Sequence, residues 1–375
     1  MKLLNVQKRL WAEVNLDNAK HNFLQIKQPL CCVIKANAYG HGAIQLAKLY
    51  EKLGARYFAV SNIEEAIQLR LNGVKGHILV LGYTPAECAD KLARFDIEQT
   101  LFNEEYANKL NDYCEKYNVF VKIHLKIDTG MGRIGFQYHD GVNELQSAFT
   151  SCSQHFLKPV GIFTHFSCSD DSTKDLTLRQ FGFFSKAIDF FANKGLSFSI
   201  KHCSNSAAVI NFPSFHLDMV RAGIVLYGIN PTQNHEISIK PVLSLWSVVS
   251  NVKMINKGDY VSYGGTFKAS EDMKVATIPI GYADGFWRSN QGHFVYINGE
   301  FCEIIGRVCM DQIMVRCNDA KIGDLVEIYG KHISVEEVAK YNHTIPYEIL
   351  CSIGERVPRV YTKKGKIIKI IDKLI

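Results

Sequence analysis

CCVIKANAYGHGAIQLAKLYEKLGARYFAV, residues 31–60, opens with an apolar run, crosses a glycine-broken turn, continues at helical spacing and ends in a second apolar run. Two short strand-like runs joined through a helix make a βαβ unit, whose long connection implies parallel strands. The alternation continues from about residue 10 to residue 230. YFAV precedes IEEAIQLRLNG, HILVLG precedes AECADKLARF, and QTLF precedes EEYANKLNDYCEKY. FVKIHLKID then leads into VNELQSAFTSCS, VGIFTHF into RQFGFFSKAIDFFANKG, and FSIKHCS into NSAAVINF. Eight such units, counted from the run near residue 10, close a parallel barrel of the usual ~250 residues. Past Pro231, LSLWSVVSNVKMI, VATIPIGYA, HFVYING, FCEIIGRVCMD and LVEIYG are separated by Gly, Asn and Asp turns, which is the texture of an all-β domain. The expected architecture is α/β: a (β/α)8 TIM-type barrel over residues 1–233, followed by a mostly β C-terminal domain over 234–375. The first residues remain free to pair with the β domain.

Composition narrows the function classes. At 375 residues the chain suits two domains, and 47% hydrophobic with 21% charged residues is ordinary for a globular protein. The opening MKLLNVQKRLWAEVNL is interrupted by Asn5, Gln7 and Lys8 too early for a signal-peptide core, and no segment approaches a membrane span. Eleven cysteines form no CxxC pair, which favours neither a metal site nor a disulfide scaffold and fits a reducing cytoplasm. The net charge of +6 is spread along the chain. Its densest cluster, KKGKIIKIIDK, alternates like a solvated edge strand rather than a nucleic-acid stripe.

Active sites of barrels collect at the C-terminal ends of the strands. Lys35 ends the second unit in that count, Lys126 and Arg133 go with HLKID, His165 ends GIFTH, His202 ends SIKH and Arg221 follows HLDMV. Any one of these alone reads as a satisfied structural group. Together they describe a rim suited to an anionic ligand with an aromatic ring. Lys35 stands out, because a lysine placed in an apolar pocket loses its proton and can form an imine with a carbonyl cofactor. In HCSNSAA, Asn205 and Ser206 precede a helix start, and RAGIVLYG offers the Gly223 and Ile224 amides. These are phosphate contacts or simply caps and turns, and the spacing accommodates both.

The chain closely resembles the alanine racemase family over nearly its whole length. VIKANAYGHGA, KIDTGMGRIG, HCSNSAA, MVRAGIVLYG, VSYGGTF, PIGYADGF, GRVCMDQ and RVPR occur in the family's order. The resemblance implies pyridoxal 5'-phosphate held on Lys35 through an imine, with Tyr39, Ser206, Asn205, Gly223 and Ile224 around the phosphate. His165, His202 and Arg221 would line the cofactor, Arg221 facing the pyridine nitrogen. The cofactor serves as electron sink for the α-carbanion, while the protein chooses the face that is protonated. Racemisation then needs a base on each face: by resemblance, Lys35 for the D-isomer and Tyr263 for the L-isomer. A free tyrosine holds its proton at neutral pH, so positive charge is expected near that phenol, with His165, Arg221 and His202 as candidates.

The resemblance also implies a head-to-tail homodimer in which Tyr263, Tyr282, Met310 and Asp311 of one subunit cover the lysine site of the other. Arg133 would hold the substrate carboxylate, and Lys126 would orient it if carbamylated or pair elsewhere if not. Tyr282 and Met310 match the small-substrate pattern. One position departs: Glu355 precedes RVPR, where some relatives have a phosphate-binding tyrosine. A carboxylate there repels phosphate, so Glu355 turns away or the cofactor loses a contact. The expected role is supply of D-alanine for bacterial cell-wall peptidoglycan. A broad-specificity racemase acting on serine, lysine or arginine and a non-catalytic pyridoxal-phosphate carrier are the alternatives.

Overall fold

The computed structural model describes residues 7–171, 173–232 and 237–375. The expected boundary at 233/234 and the first six residues lie outside them. The chain divides into a barrel unit, Lys20–Ala38 with Ala43–Lys240, and a sheet unit, which comprises the described residues up to Ala19, Tyr39–Gly42 and Pro241–Ile375.

In the barrel unit eight parallel strands follow one another in space: Ile200–His202, Leu157–Phe163, Val121–Asp128, Ile97–Leu101, His77–Val80, Tyr57–Val60, Leu30–Val33 and Val220–Ala222. The Asp218 N–H donates to the Lys201 carbonyl at 3.1 Å and the Arg221 N–H to the Ser204 carbonyl at 3.0 Å, joining the first and last of these strands into a ring. Leu30–Val33, Ile97–Leu101 and Val220–Ala222 are buried throughout, as strands covered on both faces must be. The outer helices carry one apolar stripe each. In Glu104–Tyr117 it is Tyr106, Ala107, Leu110 and Cys114, and Asn103 caps the start by accepting from the Tyr106 N–H at 2.8 Å.

One count from the sequence is corrected. The run near residue 10, Leu10–Asn15, is not a barrel strand. It lies in the sheet unit, antiparallel to Leu243–Val248 and parallel to Arg359–Lys363. Trp11 and Val360 pack there with Trp246, Val248, Leu325 and Ile367, a core that a barrel position would not offer. Val220–Ala222 supplies the eighth barrel strand instead, so Lys35 follows the first.

The main sheet of the sheet unit has ten strands in the order Asn251–Ile255, Met273–Ile278, Ile313–Arg316, Glu300–Ile304, Phe294–Ile297, Leu325–Tyr329, Leu243–Val248, Leu10–Asn15, Arg359–Lys363 and Lys366–Ile371. The lysine- and isoleucine-rich Lys366–Ile371 is the edge, half-exposed or exposed along its length. A buried carboxylate ties distant parts of this unit together. Asp284 accepts from Arg9 Nη2 at 2.7 Å, from Arg356 Nε at 3.0 Å and from the Gly281 N–H at 3.0 Å. Asp284→Asn leaves two guanidiniums facing a neutral amide, and urea melts of that variant are expected to show about 3 kcal/mol lost stability.

Candidate active site

Lys35 comes just after the strand Leu30–Val33, and Cys31 and Cys32 of that strand and the intervening Ile34 are fully buried. Burial pushes the Cys31 thiol up to about 12, which keeps it protonated. The next four residues, Ala36, Asn37, Ala38 and Tyr39, all have φ between 50° and 55°, a left-handed turn made without glycine. Each such residue costs roughly 1–2 kcal/mol, so the turn has to be held. Glu65 does part of this, one carboxylate oxygen accepting from the Ala36 N–H at 2.6 Å and the other from the Ser61 N–H at 2.8 Å. Asn37 Oδ1 accepts from the Ala43 N–H at 3.0 Å, across the turn. Strain concentrated beside one lysine marks a place where geometry has been favoured over stability.

Arg221, 3% exposed, is the charge at the centre of the rim. Its Nη1 donates to His202 Nδ1 at 2.8 Å. Its Nη2 donates to the Thr164 and Cys203 carbonyls at 2.9 Å each and to His165 Nδ1 at 3.2 Å. Burial lowers Arg221 to about 10, still cationic at neutral pH. Burial, with Arg221 next, holds both His165 and His202 well below the usual imidazole range. The two histidines expected as positive charges are therefore neutral, and the cation is Arg221 alone among the three candidates.

Arg133 is exposed at the end of a loop built on Asp128. That carboxylate accepts from the backbone N–H groups of Gly130, Met131, Gly132 and Arg133 at 2.8–3.2 Å. Burial opposes ionisation of Asp128, but these N–H groups outweigh it and hold the carboxyl below its usual range. Lys126 lies on the same strand, 4% exposed, with its Nζ 5.0 Å from the Phe163 ring and without a hydrogen-bond partner among the described residues. Burial, with Arg221 next, lowers its pKa far below that of an ordinary lysine. Ser206 and Gly223 meet directly, the Gly223 N–H donating to Ser206 Oγ at 2.9 Å. Asn205 is the N-cap of Ser206–Asn211, accepting from the Ala208 N–H at 3.0 Å. Ile224 opens a 3-10 turn, whose first N–H has no acceptor within the turn.

The sheet unit presents its own cluster. Tyr263, Tyr282 and Met310 are 71%, 45% and 52% exposed, unusually high for large apolar side chains in one loop system. Backbone bonds bind the loops: the Tyr282 N–H donates to the Cys309 carbonyl at 3.1 Å and the Ala283 N–H to Met310 at 3.0 Å. A Cβ on Gly281 would stand 2.3 Å from both carbonyl oxygens, so only glycine permits this approach. Ser262 Oγ donates to the Arg307 carbonyl at 2.6 Å, which fixes the turn that carries Tyr263. Asp311 accepts from Arg356 Nη2 at 2.6 Å. Tyr39 is buried here, its ring centroid 5.9 Å from that of Tyr347. Glu355, exposed, pairs with Lys373, which holds its carboxyl below the usual range.

The chain matches the family described as "Alanine racemase, N-terminal domain" over residues 14–231 and "Alanine racemase, C-terminal domain" over residues 242–361. It belongs to the alanine racemase family. An alanine racemase from Clostridium perfringens is 41% identical, over 97% of this chain and 98% of its own length. Among solved structures, alanine racemase from Clostridium difficile 630 superimposes with a TM-score of 0.94 at 38% identity, over 99% of this chain and 100% of that one. The Bacillus anthracis enzyme with bound L-Ala-P gives 0.93 at 33% identity, with 98% of each chain covered. The family interconverts L-alanine and D-alanine with pyridoxal 5'-phosphate.

The barrel residues fit such a cofactor. Among the described residues Arg133 and Arg221 form no ion pair with a carboxylate, so the rim has cations to offer an anionic ligand. The Ser206 hydroxyl and the Ile224 amide suit a phosphate, with the Gly223 amide beside them on Ser206 Oγ, and a lysine beyond a buried strand suits an aldehyde. Sequence reading passed over Glu98, which begins the polar stretch EQT inside a buried strand, and His124, in the middle of KIHLKID. A charged or imidazole side chain in a strand buried on both faces was the signal for each.

Proposed function

We propose that Lys35 and Tyr263 are the two bases with which this chain interconverts L-alanine and D-alanine, Lys35 acting on the D-isomer and Tyr263 on the L-isomer. Carrying this reading is the position of Lys35, two residues past the end of a buried strand and just before a strained turn, beside the strand that bears Arg221. When bound, pyridoxal phosphate withdraws electrons from the substrate's α-carbon. Lys35 would hold it covalently, with Ser206, Asn205, Tyr39 and the Gly223 and Ile224 amides toward its phosphate and Arg221, His165 and His202 at its ring. Glu355 is engaged with Lys373, so the phosphate has one contact fewer than in relatives with a tyrosine there.

Arg133 holds the substrate carboxylate through its forked guanidinium. Lys126 orients it as a carbamate. A buried lysine with a depressed pKa is largely the free amine, which adds to carbon dioxide, releasing one proton and leaving an N-carboxylate. That anion would give Arg133 a partner and place a negative charge near Arg221. Lys126→Ala is expected to raise KM for alanine about tenfold, corresponding to one lost charge-assisted contact. Labelled carbon dioxide should give a carbamate carbon resonance in the parent protein that the variant lacks.

The exposed Tyr263, Tyr282 and Met310 are the face that a second copy covers in a head-to-tail homodimer. There Tyr263 reaches the partner's lysine, Asp311 supports the loop, and Tyr282 with Met310 narrows the entrance to a substrate the size of alanine. All eleven cysteines are free thiols, which accords with the cytoplasm, and among the described residues no helix is long and apolar enough to cross a membrane. D-alanine made there feeds peptidoglycan. Borohydride reduction of the cofactor-loaded protein tests the assignment: the cofactor should stay on the peptide containing Lys35, and its recovery elsewhere would refute the reading.

A further inference from the structure

A second feature of the barrel interior reaches Arg221 from below. Glu98 and His124, each at most 2% exposed in the side chain, lie on neighbouring strands, with His124 Nε2 2.8 Å from Glu98 Oε2. His124 Nδ1 stands 3.0 Å from His202 Nε2, and His202 Nδ1 takes the Arg221 Nη1 hydrogen. The other Glu98 oxygen is 2.8 Å from Nδ1 of the half-exposed His77. The run Glu98–His124–His202–Arg221 is therefore unbroken from the carboxylate to the rim.

Its polarity follows from donor counting. Arg221 can only donate, so His202 Nδ1 carries no proton and its Nε2 does. That Nε2–H donates to His124 Nδ1, which puts the His124 proton on Nε2, aimed at Glu98. Every member is used once in one direction, and the ionised carboxylate that accepts at the end fixes the sense. Burial opposes the Glu98 charge, but bonds from His124 and His77 outweigh it and bring the carboxyl to about 2. Space for the relay is provided specifically. A Cβ on Gly161 would stand 2.2 Å from His124 Nδ1, and the ladder between the two strands shifts register at Ile123/His124. Phe163 stacks on His202, centroids 4.8 Å apart and planes 4° apart, which holds that ring in the plane the bonds require.

We propose that Glu98 is a positioning residue for the racemase: through His124 and His202 it fixes the tautomer that meets Arg221, and so fixes the guanidinium at the cofactor ring. This rests on Arg221 facing that ring, as proposed above. With Glu98→Leu, His124 loses its acceptor and the tautomer is held from the Arg221 end alone, so the other neutral tautomer gains population. The wrong one turns an N–H of His202 toward Arg221 and breaks that bond. Glu98→Gln keeps the direction, because the amide oxygen can accept from His124 while its NH2 faces His77.

The test is nitrogen-15 histidine NMR on cofactor-free protein together with kinetics and the visible spectrum of the loaded enzyme. The parent and Glu98→Gln should show His124 and His202 protonated on Nε2, with kcat within about threefold of each other. Glu98→Leu should show mixed tautomers, a shifted cofactor absorption and kcat lower by about 10- to 100-fold, the usual effect of removing a partner that orients a site imidazole. An Nδ1 proton on His202 in the parent would overturn the proposal. So would a folded Glu98→Leu with unchanged tautomers or spectrum, or a Glu98→Gln that loses more than tenfold, which decides the matter if the leucine variant does not fold. If Arg221→Lys also leaves the cofactor absorption unmoved, the failure lies in the placement of Arg221 rather than in the relay.

Discussion

Replacing Lys35 by alanine is expected to lower kcat by about 10⁴-fold or more, because in the proposed mechanism one side chain serves both as covalent anchor and as base. The two losses separate experimentally. Cofactor should still bind weakly through the proposed phosphate contacts at Ser206, Gly223 and Ile224, since these stand on other elements, at the start of Ser206–Asn211 and just after Val220–Ala222. Borohydride should then fix none of it. Retained affinity with no trapped adduct and no racemisation is the expected pattern. Near-parental racemisation in the variant would remove Lys35 from the mechanism altogether. The fold should tolerate the change, because Glu65 and Asn37 hold the left-handed turn.

Tyr263→Phe should be nearly as severe, about 10³-fold, in the middle of the range for removal of a general base. Net racemisation falls in both directions together, because the equilibrium between two enantiomers is unaltered by the catalyst. The asymmetry lies in exchange. Lys35 can still remove and return the α-hydrogen of D-alanine, so in heavy water D-alanine should become α-deuterated with its configuration retained while L-alanine remains protiated. The opposite pattern would exchange the roles of the two bases. Phenylalanine keeps the ring and removes only the hydroxyl, so stability should be almost unaffected, and melting curves of variant and parent are expected to coincide.

Much of this arrangement was readable before the structure. The parallel barrel shows in CCVI, YFAV and HILV because strands covered on both faces are continuous apolar runs. Leu10–Asn15 misled because a short apolar run carries no mark of the sheet it joins; only its partners, 229 or more residues away, decide that. Lys35, Arg221 and the two rim histidines were visible as strand ends. Their charges were not, since whether His165 and His202 are protonated depends on burial and on the guanidinium that contacts both. Glu98 and Asp284 escaped notice for a similar reason. A carboxylate in a sequence looks solvated until its partners, His124 and His77 in one case and Arg9 and Arg356 in the other, are known.

The central claim is that two bases work from opposite faces of the α-carbon. The most direct measurement follows alanine conversion in heavy water, starting separately from L- and D-alanine, with optical configuration and α-deuterium content read on the same samples. With two bases the hydrogen is removed on one face and a different one delivered on the other, so the first product formed from either enantiomer should be α-deuterated. Product that inverts while keeping its original α-hydrogen would mean that a single base carries the proton across, and would contradict the assignment of Lys35 and Tyr263.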